Sequence, residues 1–252
     1  MKTYNYLQDI IAKKGAAYLI LIDPDKLSTD KISKFAKHCE DSGVDGFLIG
    51  GSLLLNGNID ETIDSIKSSC SIPVIIFPGG VDQISSKADA LLYISLISGR
   101  NADQLIGKHV IAAPLIKKYG IEPISTGYLL IESGKTTTAE YISNSKPIPR
   151  NKPEIAASTA LAAEYMGMKL IYLEAGSGAD LPVPNEMIKM VLQYCSLPIV
   201  VGGGIRDPKT AFEKVRSGAK VIVTGNFFEN ESNWGKIEEF ADAVHINELK
   251  EI

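Results

Sequence analysis

A closed (β/α)8 barrel of the TIM type, a single domain over residues 1–252, is the fold this sequence predicts, and three observations predict it. Short apolar runs alternate with amphipathic segments of helical period along the chain. The runs lack in–out alternation, so they read as strands of a parallel sheet buried on both faces. The last two runs, residues 197–201 and 220–224, each stop at glycine, in Gly202-Gly203-Gly204 and Gly225-Asn226. The ends of strands seven and eight are where such barrels often bind phosphate. A doubly wound open sheet would share the local pattern, but the paired glycine ends favour the closed ring.

The elements follow in order. Residues 4–14 open with an amphipathic helix carrying Tyr6, Leu7, Ile10 and Ile11. The first strand, 16–22, ends in Asp23-Pro24-Asp25-Lys26, and the helix after it turns Ile32, Phe35, Ala36 and Cys39 inward. Strand two, 46–49, runs into Gly50-Gly51-Ser52, and strand three, 73–77, follows a helix at 60–69. Strand four, 90–95, leads through Arg100-Asn101 to a helix over 104–117 with the apolar stripe Leu105, Ile106 and Ile111. Strand five lies within 122–131. Residues 133–152, rich in Thr, Ser, Asn and Pro, read as a loop insertion, long enough for an active-site loop or a subunit contact. Its lone aromatic, Tyr141, is the candidate contact residue. Helices at 154–166, 184–194 and 232–244 and strand six at 170–173 complete the repeat.

Composition narrows the function. A formal net charge of −4 without a basic block argues against nucleic acid. Three scattered cysteines, Cys39, Cys70 and Cys195, read as reduced thiols of a cytoplasmic protein. No apolar run reaches the ~18 residues of a membrane span, so a lipidic substrate would be met by a soluble or peripheral enzyme.

The strand ends supply the candidate chemistry. Glycine-rich turns after strands six, seven and eight offer bare backbone N–H groups to one anion, with the helix starting near Asp207-Pro208 aimed at the same spot. Asp23 suits either a turn cap or a Mg2+ ligand, an ion content with one or two carboxylates, and Ser52 could add a hydroxyl oxygen. Glu174 ends a buried strand with Tyr172 on the same face. A carboxylate there needs a salt-bridge partner or a job, and general base toward a hydroxyl of a phosphate ester is the natural one. The histidines, His38, His109 and His245, form no triad or metal cluster, and no cysteine adjoins a base. Arg100 and Asn101 suit either a pyrophosphate contact or a solvated loop.

Read together, Leu21-Ile-Asp23-Pro-Asp25-Lys26, Ile49-Gly-Gly-Ser52, Tyr172-Leu-Glu-Ala-Gly-Ser-Gly178, Val201-Gly-Gly-Gly-Ile-Arg-Asp207 and Val223-Thr-Gly-Asn226 resemble one family. It is the geranylgeranylglyceryl phosphate synthases, with their bacterial heptaprenylglyceryl relatives. The resemblance implies Mg2+-dependent alkylation of the C3 hydroxyl of sn-glycerol 1-phosphate by a long prenyl diphosphate, geranylgeranyl diphosphate foremost. It implies Asp23 and Ser52 as the metal site. It also implies a glycerol phosphate clamp of Tyr172, Leu173, Glu174, Ala175, Gly176, Ser177, Gly178, Gly203, Gly204, Gly225 and Asn226. Glu174 would take the hydroxyl proton, with Tyr172 helping to hold the substrate. The prenyl tail needs an apolar groove, for which Phe77, Tyr93 and Leu96 are candidates. Part of the family carries a lysine where this chain has Leu21, so backbone nests or another cation such as Lys26 must serve the phosphate.

The rival readings are another phosphate-binding barrel enzyme, an isomerase or lyase, and a non-catalytic phosphate-binding barrel. A homo-oligomer, dimer or hexamer, is expected.

Overall fold

Runs rich in Val, Ile and Leu favour extended backbone that packs on both faces, and they become eight parallel strands. These are β1 (Ala17–Ile22), β2 (Gly46–Ile49), β3 (Val74–Ile76), β4 (Ala90–Leu96), β5 (Glu122–Leu130), β6 (Leu170–Glu174), β7 (Ile199–Gly202) and β8 (Val221–Thr224). They pair in chain order, and β8 closes on β1 in a register running from Ala17↔Val221 to Ile20↔Thr224. The structure, a computed structural model, describes residues 2–246.

Helices α1 (Thr3–Lys14), α2 (Thr29–Asp41), α3 (Ile59–Lys67), α4 (Lys108–Tyr119), α5 (Thr138–Ser143), α6 (Pro153–Tyr165), α7 (Asn185–Tyr194), α8 (Pro208–Arg216) and α9 (Ile237–Val244) accompany the strands. Alternate strand residues feed two cores. Tyr18, Ile20, Phe47, Ile171, Leu173 and Val201 pack outward into the helix layer. Leu19, Leu48, Ile75, Tyr128, Tyr172 and Val223 fill the barrel. Leu7 of α1 joins the inner core, with Tyr6, Ile10 and Ile11 packed against it. The first helix thus plugs the end of the barrel where the strands begin. Asp45, at the same end, accepts the Tyr18 N–H at 2.8 Å and meets Lys14 Nζ at 3.0 Å and His245 Nε2 at 2.8 Å.

Three expectations change. The helix after β4 does not bury Ile106 and Ile111: both are exposed, and His109, Ala112 and Ile116 face inward instead. A π turn, Asp103–Gly107, precedes α4 and rotates its phase away from the simple helical count. The stretch between β3 and β4 holds only the short 3-10 turn Val81–Gln83, so the pattern of one helix per strand lapses there. The polar insertion is not all loop. Thr137 caps α5 by accepting the Glu140 N–H at 3.3 Å, and Ser133, Ser143 and Ser145 are buried. The insertion is tied back by a bridge between Ile131 and Ile148. No helix among the described residues is long and apolar enough to cross a membrane.

Candidate active site

The strand ends open on a cavity of about 460 Å³. Of the candidate residues, Asp23, Ser52, Tyr172, Glu174, Ser177 and Gly178 line it, and so do Gly203, Gly204, Gly225 and Asn226. The side chains of Leu173 and Ala175 turn the other way, into the helix layer, as the two-residue period of a strand requires.

Glu174 is the last residue of β6 and is buried. Its Oε1 accepts the N–H of Gly176 at 2.6 Å. Burial pushes its carboxyl up to about 7, against the opposing pull of the Gly176 N–H and the nearby Tyr172 hydroxyl. The salt-bridge alternative finds no support, because no lysine or arginine among the described residues pairs with Glu174. The Tyr172 hydroxyl is buried near that carboxylate without completing a hydrogen bond of good geometry. Its ring stacks on Phe77 with centroids 5.4 Å apart, and Tyr128 closes the aromatic floor at 5.3 Å from Tyr172 and 5.9 Å from Phe77.

The glycine turns lie beside this carboxylate. Gly203 has φ 81°, and a Cβ there would collide with Glu174 Oε1 and lie 2.7 Å from the Gly176 nitrogen. Only glycine lets the β7 turn press against the β6 turn in that conformation. Asn226 joins the two outer turns: its Oδ1 accepts from Ser177 Oγ at 2.8 Å and from the Gly178 N–H at 3.2 Å. At the start of the helix after β7, Asp207 caps α8 by accepting the Thr210 N–H at 2.8 Å.

Across the mouth, Asp23 is half-buried, and burial raises its pKa. Its Oδ1 accepts the Asp25 N–H at 3.0 Å, and a Cβ on Gly51 would sit 3.4 Å from its carboxyl carbon. A desolvated carboxylate facing a cavity, with a glycine cradle that leaves room beside it and Ser52 in the same wall, fits a small hard cation. Asp25 has a structural job instead. It accepts the N–H groups of Leu55, Asn56 and Gly57, which hold its carboxyl below the usual range. Arg100 donates to the carbonyl of Gly99 at 2.7 Å and Asn101 to that of Ser143 at 2.8 Å, so both serve loop geometry.

The sequence reading passed over Arg206 and Glu229, which also line the cavity. Arg206 lies within the glycine motif already singled out, and donates to the Ala179 carbonyl at 2.7 Å. Glu229 follows Asn226 at the three-residue spacing that one helical turn brings together. Two smaller clefts continue from the mouth. One, lined by Phe77, Leu96 and Ile142, shares Gly51, Ser52 and Tyr128 with the cavity. The other, lined by Leu91, Tyr93 and Ile116, shares Pro78, Ile94 and Lys108 with the first. Together they run outward between β4 and α4.

Fold and mouth together define a TIM-barrel enzyme whose strand-end cavity sets glycine turns beside a buried carboxylate. The chain belongs to the PcrB family, which matches over residues 8–244. It is 48% identical over 244 residues to a geranylgeranylglyceryl phosphate synthase of Chitinophaga pinensis, covering 97% of this chain and 96% of that one. With the geranylgeranylglyceryl phosphate synthase of Pyrococcus horikoshii the identity is 41% over 244 residues, covering 96% and 95%. The crystal structure of (S)-3-O-geranylgeranylglyceryl phosphate synthase from Thermoplasma acidophilum, in complex with its substrate sn-glycerol-1-phosphate, superposes with a TM-score of 0.90 at 33% identity, covering 98% of this chain and 99% of that one.

Proposed function

We propose that the chain is a prenyltransferase of ether-lipid synthesis. It alkylates the C3 hydroxyl of sn-glycerol 1-phosphate with a long-chain prenyl diphosphate, geranylgeranyl diphosphate foremost, and releases pyrophosphate. The observation that carries the reading is Glu174, a buried carboxylate raised to about 7 and set among three glycine turns.

The acceptor's phosphate sits at the turns after β6, β7 and β8, with Arg206 in the same wall. The Gly176 and Gly178 N–H groups are engaged by Glu174 and Asn226, so the backbone donors come from the β7 and β8 turns. The acceptor's C3 hydroxyl then reaches Glu174. A free alcohol is too weak an acid for a carboxylate to deprotonate beforehand. The proton therefore moves to Glu174 as the hydroxyl oxygen bonds to the allylic carbon, and the electrons of the breaking carbon–oxygen bond leave with pyrophosphate. A base with a pKa near 7 is free to accept the proton at neutral pH and return it to water.

The donor lies on the opposite arc. Asp23 and Ser52 would hold Mg2+, which when bound supplies charge neutralisation to the pyrophosphate. The wall supports a cation there: Asp23, Glu174 and Glu229 face the cavity, with Lys26 and Arg206 as its fixed cations among the described residues. Lys26, in the same wall, would serve the phosphate in place of the lysine that Leu21 replaces. The tail runs along the clefts lined by Phe77, Leu96 and Tyr93. The rings of Phe77, Tyr128 and Tyr172 exclude water from the allylic carbon and favour the positive charge that develops there.

Tyr141, 79% exposed on α5, is the anchor of a homo-oligomer, dimer or hexamer. The three free thiols suit a cytoplasmic enzyme that meets lipid at most peripherally.

Incubation with radiolabelled glycerol 1-phosphate and prenyl diphosphates of graded length tests the proposal. Label that becomes extractable into organic solvent only with a prenyl diphosphate, Mg2+ and the sn-1 enantiomer is the expected result. Water-soluble label throughout would refute it.

A further inference from the structure

Glu229 is an acid of the mouth that the mechanism leaves without a task. It ends the 3-10 turn Asn226–Glu229 that follows β8, is half-buried, and shares its wall with Asp23 and Lys26. Its Oε1 accepts a hydrogen bond from Nδ2 of Asn226 at 2.8 Å. The other edge of the same amide, Oδ1, takes the Ser177 hydroxyl at 2.8 Å and the Gly178 N–H at 3.2 Å. A carboxylate accepts only, so it admits only the NH2 edge of Asn226. The Gly178 N–H donates only, so it admits only the oxygen. The amide is therefore locked from both sides. The resulting strut joins β8 to the β6 turn, with β7 and its Gly203-Gly204 turn between them in the barrel.

We propose that Glu229 is a positioning residue for the acceptor: by fixing the Asn226 amide, it sets the spacing of the β6 and β8 turns before glycerol phosphate arrives. The inference rests on the reading of these turns as the glycerol phosphate clamp. Turns set in advance need not be ordered at the moment of binding, so affinity rises without a new contact to the ligand. Without Glu229 one of the two locks is gone, and the terminal torsion of Asn226, broad by nature, is held only from the Ser177 and Gly178 side. The amide then samples a wider range of angles, and the strut loosens. Acceptor binding is what suffers. The chemical step, carried by Glu174, does not.

The test is calorimetric titration of sn-glycerol 1-phosphate into wild type, Glu229→Ala, Glu229→Gln, Asn226→Ala and the Glu229→Ala/Asn226→Ala double variant at fixed Mg2+, with steady-state kinetics on the same set. Loss of one hydrogen bond to a charged group predicts about tenfold weaker binding in Glu229→Ala. The acceptor KM rises in parallel, while kcat and the Mg2+ half-saturation stay within about twofold of wild type. Glu229→Gln keeps both the size and an accepting oxygen, so it restores binding and guards against a folding defect. If Glu229 acts through Asn226, the double variant binds as weakly as Asn226→Ala alone. Undiminished binding by Glu229→Ala, additive losses in the double variant, failure of Glu229→Gln to restore binding, or a shift in Mg2+ half-saturation alone would each overturn the role of Glu229. Failure of wild type to bind glycerol 1-phosphate would instead overturn the function on which that role depends.

Discussion

Glu174 and Gly176 are joined by a hydrogen bond of 2.6 Å from the glycine N–H to Oε1. The carboxylate that ends β6 is thus tethered to the first glycine of the turn that follows it. The contact stabilises the charged form, yet burial outweighs it and leaves the pKa at about 7. That balance has a kinetic signature. As a general base Glu174 works when deprotonated, so kcat/KM rises with pH and levels off above about 7. Removing the base in Glu174→Gln is expected to lower kcat roughly 100-fold to 10,000-fold and flatten that limb. A profile unchanged by the substitution would show that the proton goes elsewhere.

The same shift bears on stability. The folded pKa of about 7 lies above the ordinary value of 4.5, so the folded protein binds the proton more tightly than the unfolded chain. Its stabilising contribution is full below 4.5 and is lost as pH rises through about 7. The loss amounts to about 3 kcal/mol at most. Glu174→Gln carries no such charge and is expected to unfold at higher denaturant than wild type at pH 8, with the gap closing at pH 5. Denaturant titration at the two pH values checks this.

Gly203→Ala is expected to damage both fold and clamp. The new Cβ meets Glu174 Oε1 and the Gly176 nitrogen at a φ of 81°. Strain of this kind costs roughly 1–3 kcal/mol, and the β7 turn must retreat from the β6 turn. A melting temperature several degrees lower together with loss of glycerol 1-phosphate binding is the expected pair of results.

Asp23→Asn keeps the shape and the contact to the Asp25 N–H but removes the charge. The Mg2+ concentration for half-maximal activity should rise about tenfold or more, while calorimetric binding of glycerol 1-phosphate without metal stays as in wild type. An unchanged Mg2+ titration would move the metal away from β1.

Tyr141→Ala should reduce the size of the particle in sedimentation, since a ring 79% exposed on one protomer gains most by packing on another. Wild type and variant sedimenting alike as monomers would remove Tyr141 from any interface.

Much of this was legible in the chain. Uninterrupted apolar runs cannot be half-exposed strands, so the parallel ring and its glycine-ended mouth followed, and Glu174 stood out as a charge where a strand should end. The misreadings have physical causes. Ile106 and Ile111 keep helical spacing, but the π turn at Asp103–Gly107 changes which face α4 presents. Ser133, Ser143 and Ser145 look solvated by composition, yet local hydrogen bonds bury them under the insertion. Asp23 stood out by following the first strand directly, but the task of Asp25 was hidden. Only the fold brings the Leu55, Asn56 and Gly57 amides to Asp25 while Asp23 faces the cavity. Glu229 escaped notice because its significance lies in Asn226, whose partners are 48 and 49 residues away.

The order of strands in the ring divides the labour of the mouth. Residues assigned to the acceptor stand on the β6–β8 arc, and those assigned to the donor stand on β1–β4. The two arcs meet where Phe77 stacks on Tyr172, 5.4 Å between ring centroids. A substitution deep in the cleft beside α4, at Leu91 or Ile116, lies beyond that junction, so it is expected to change the length of tail accepted before it changes the fit of the headgroup.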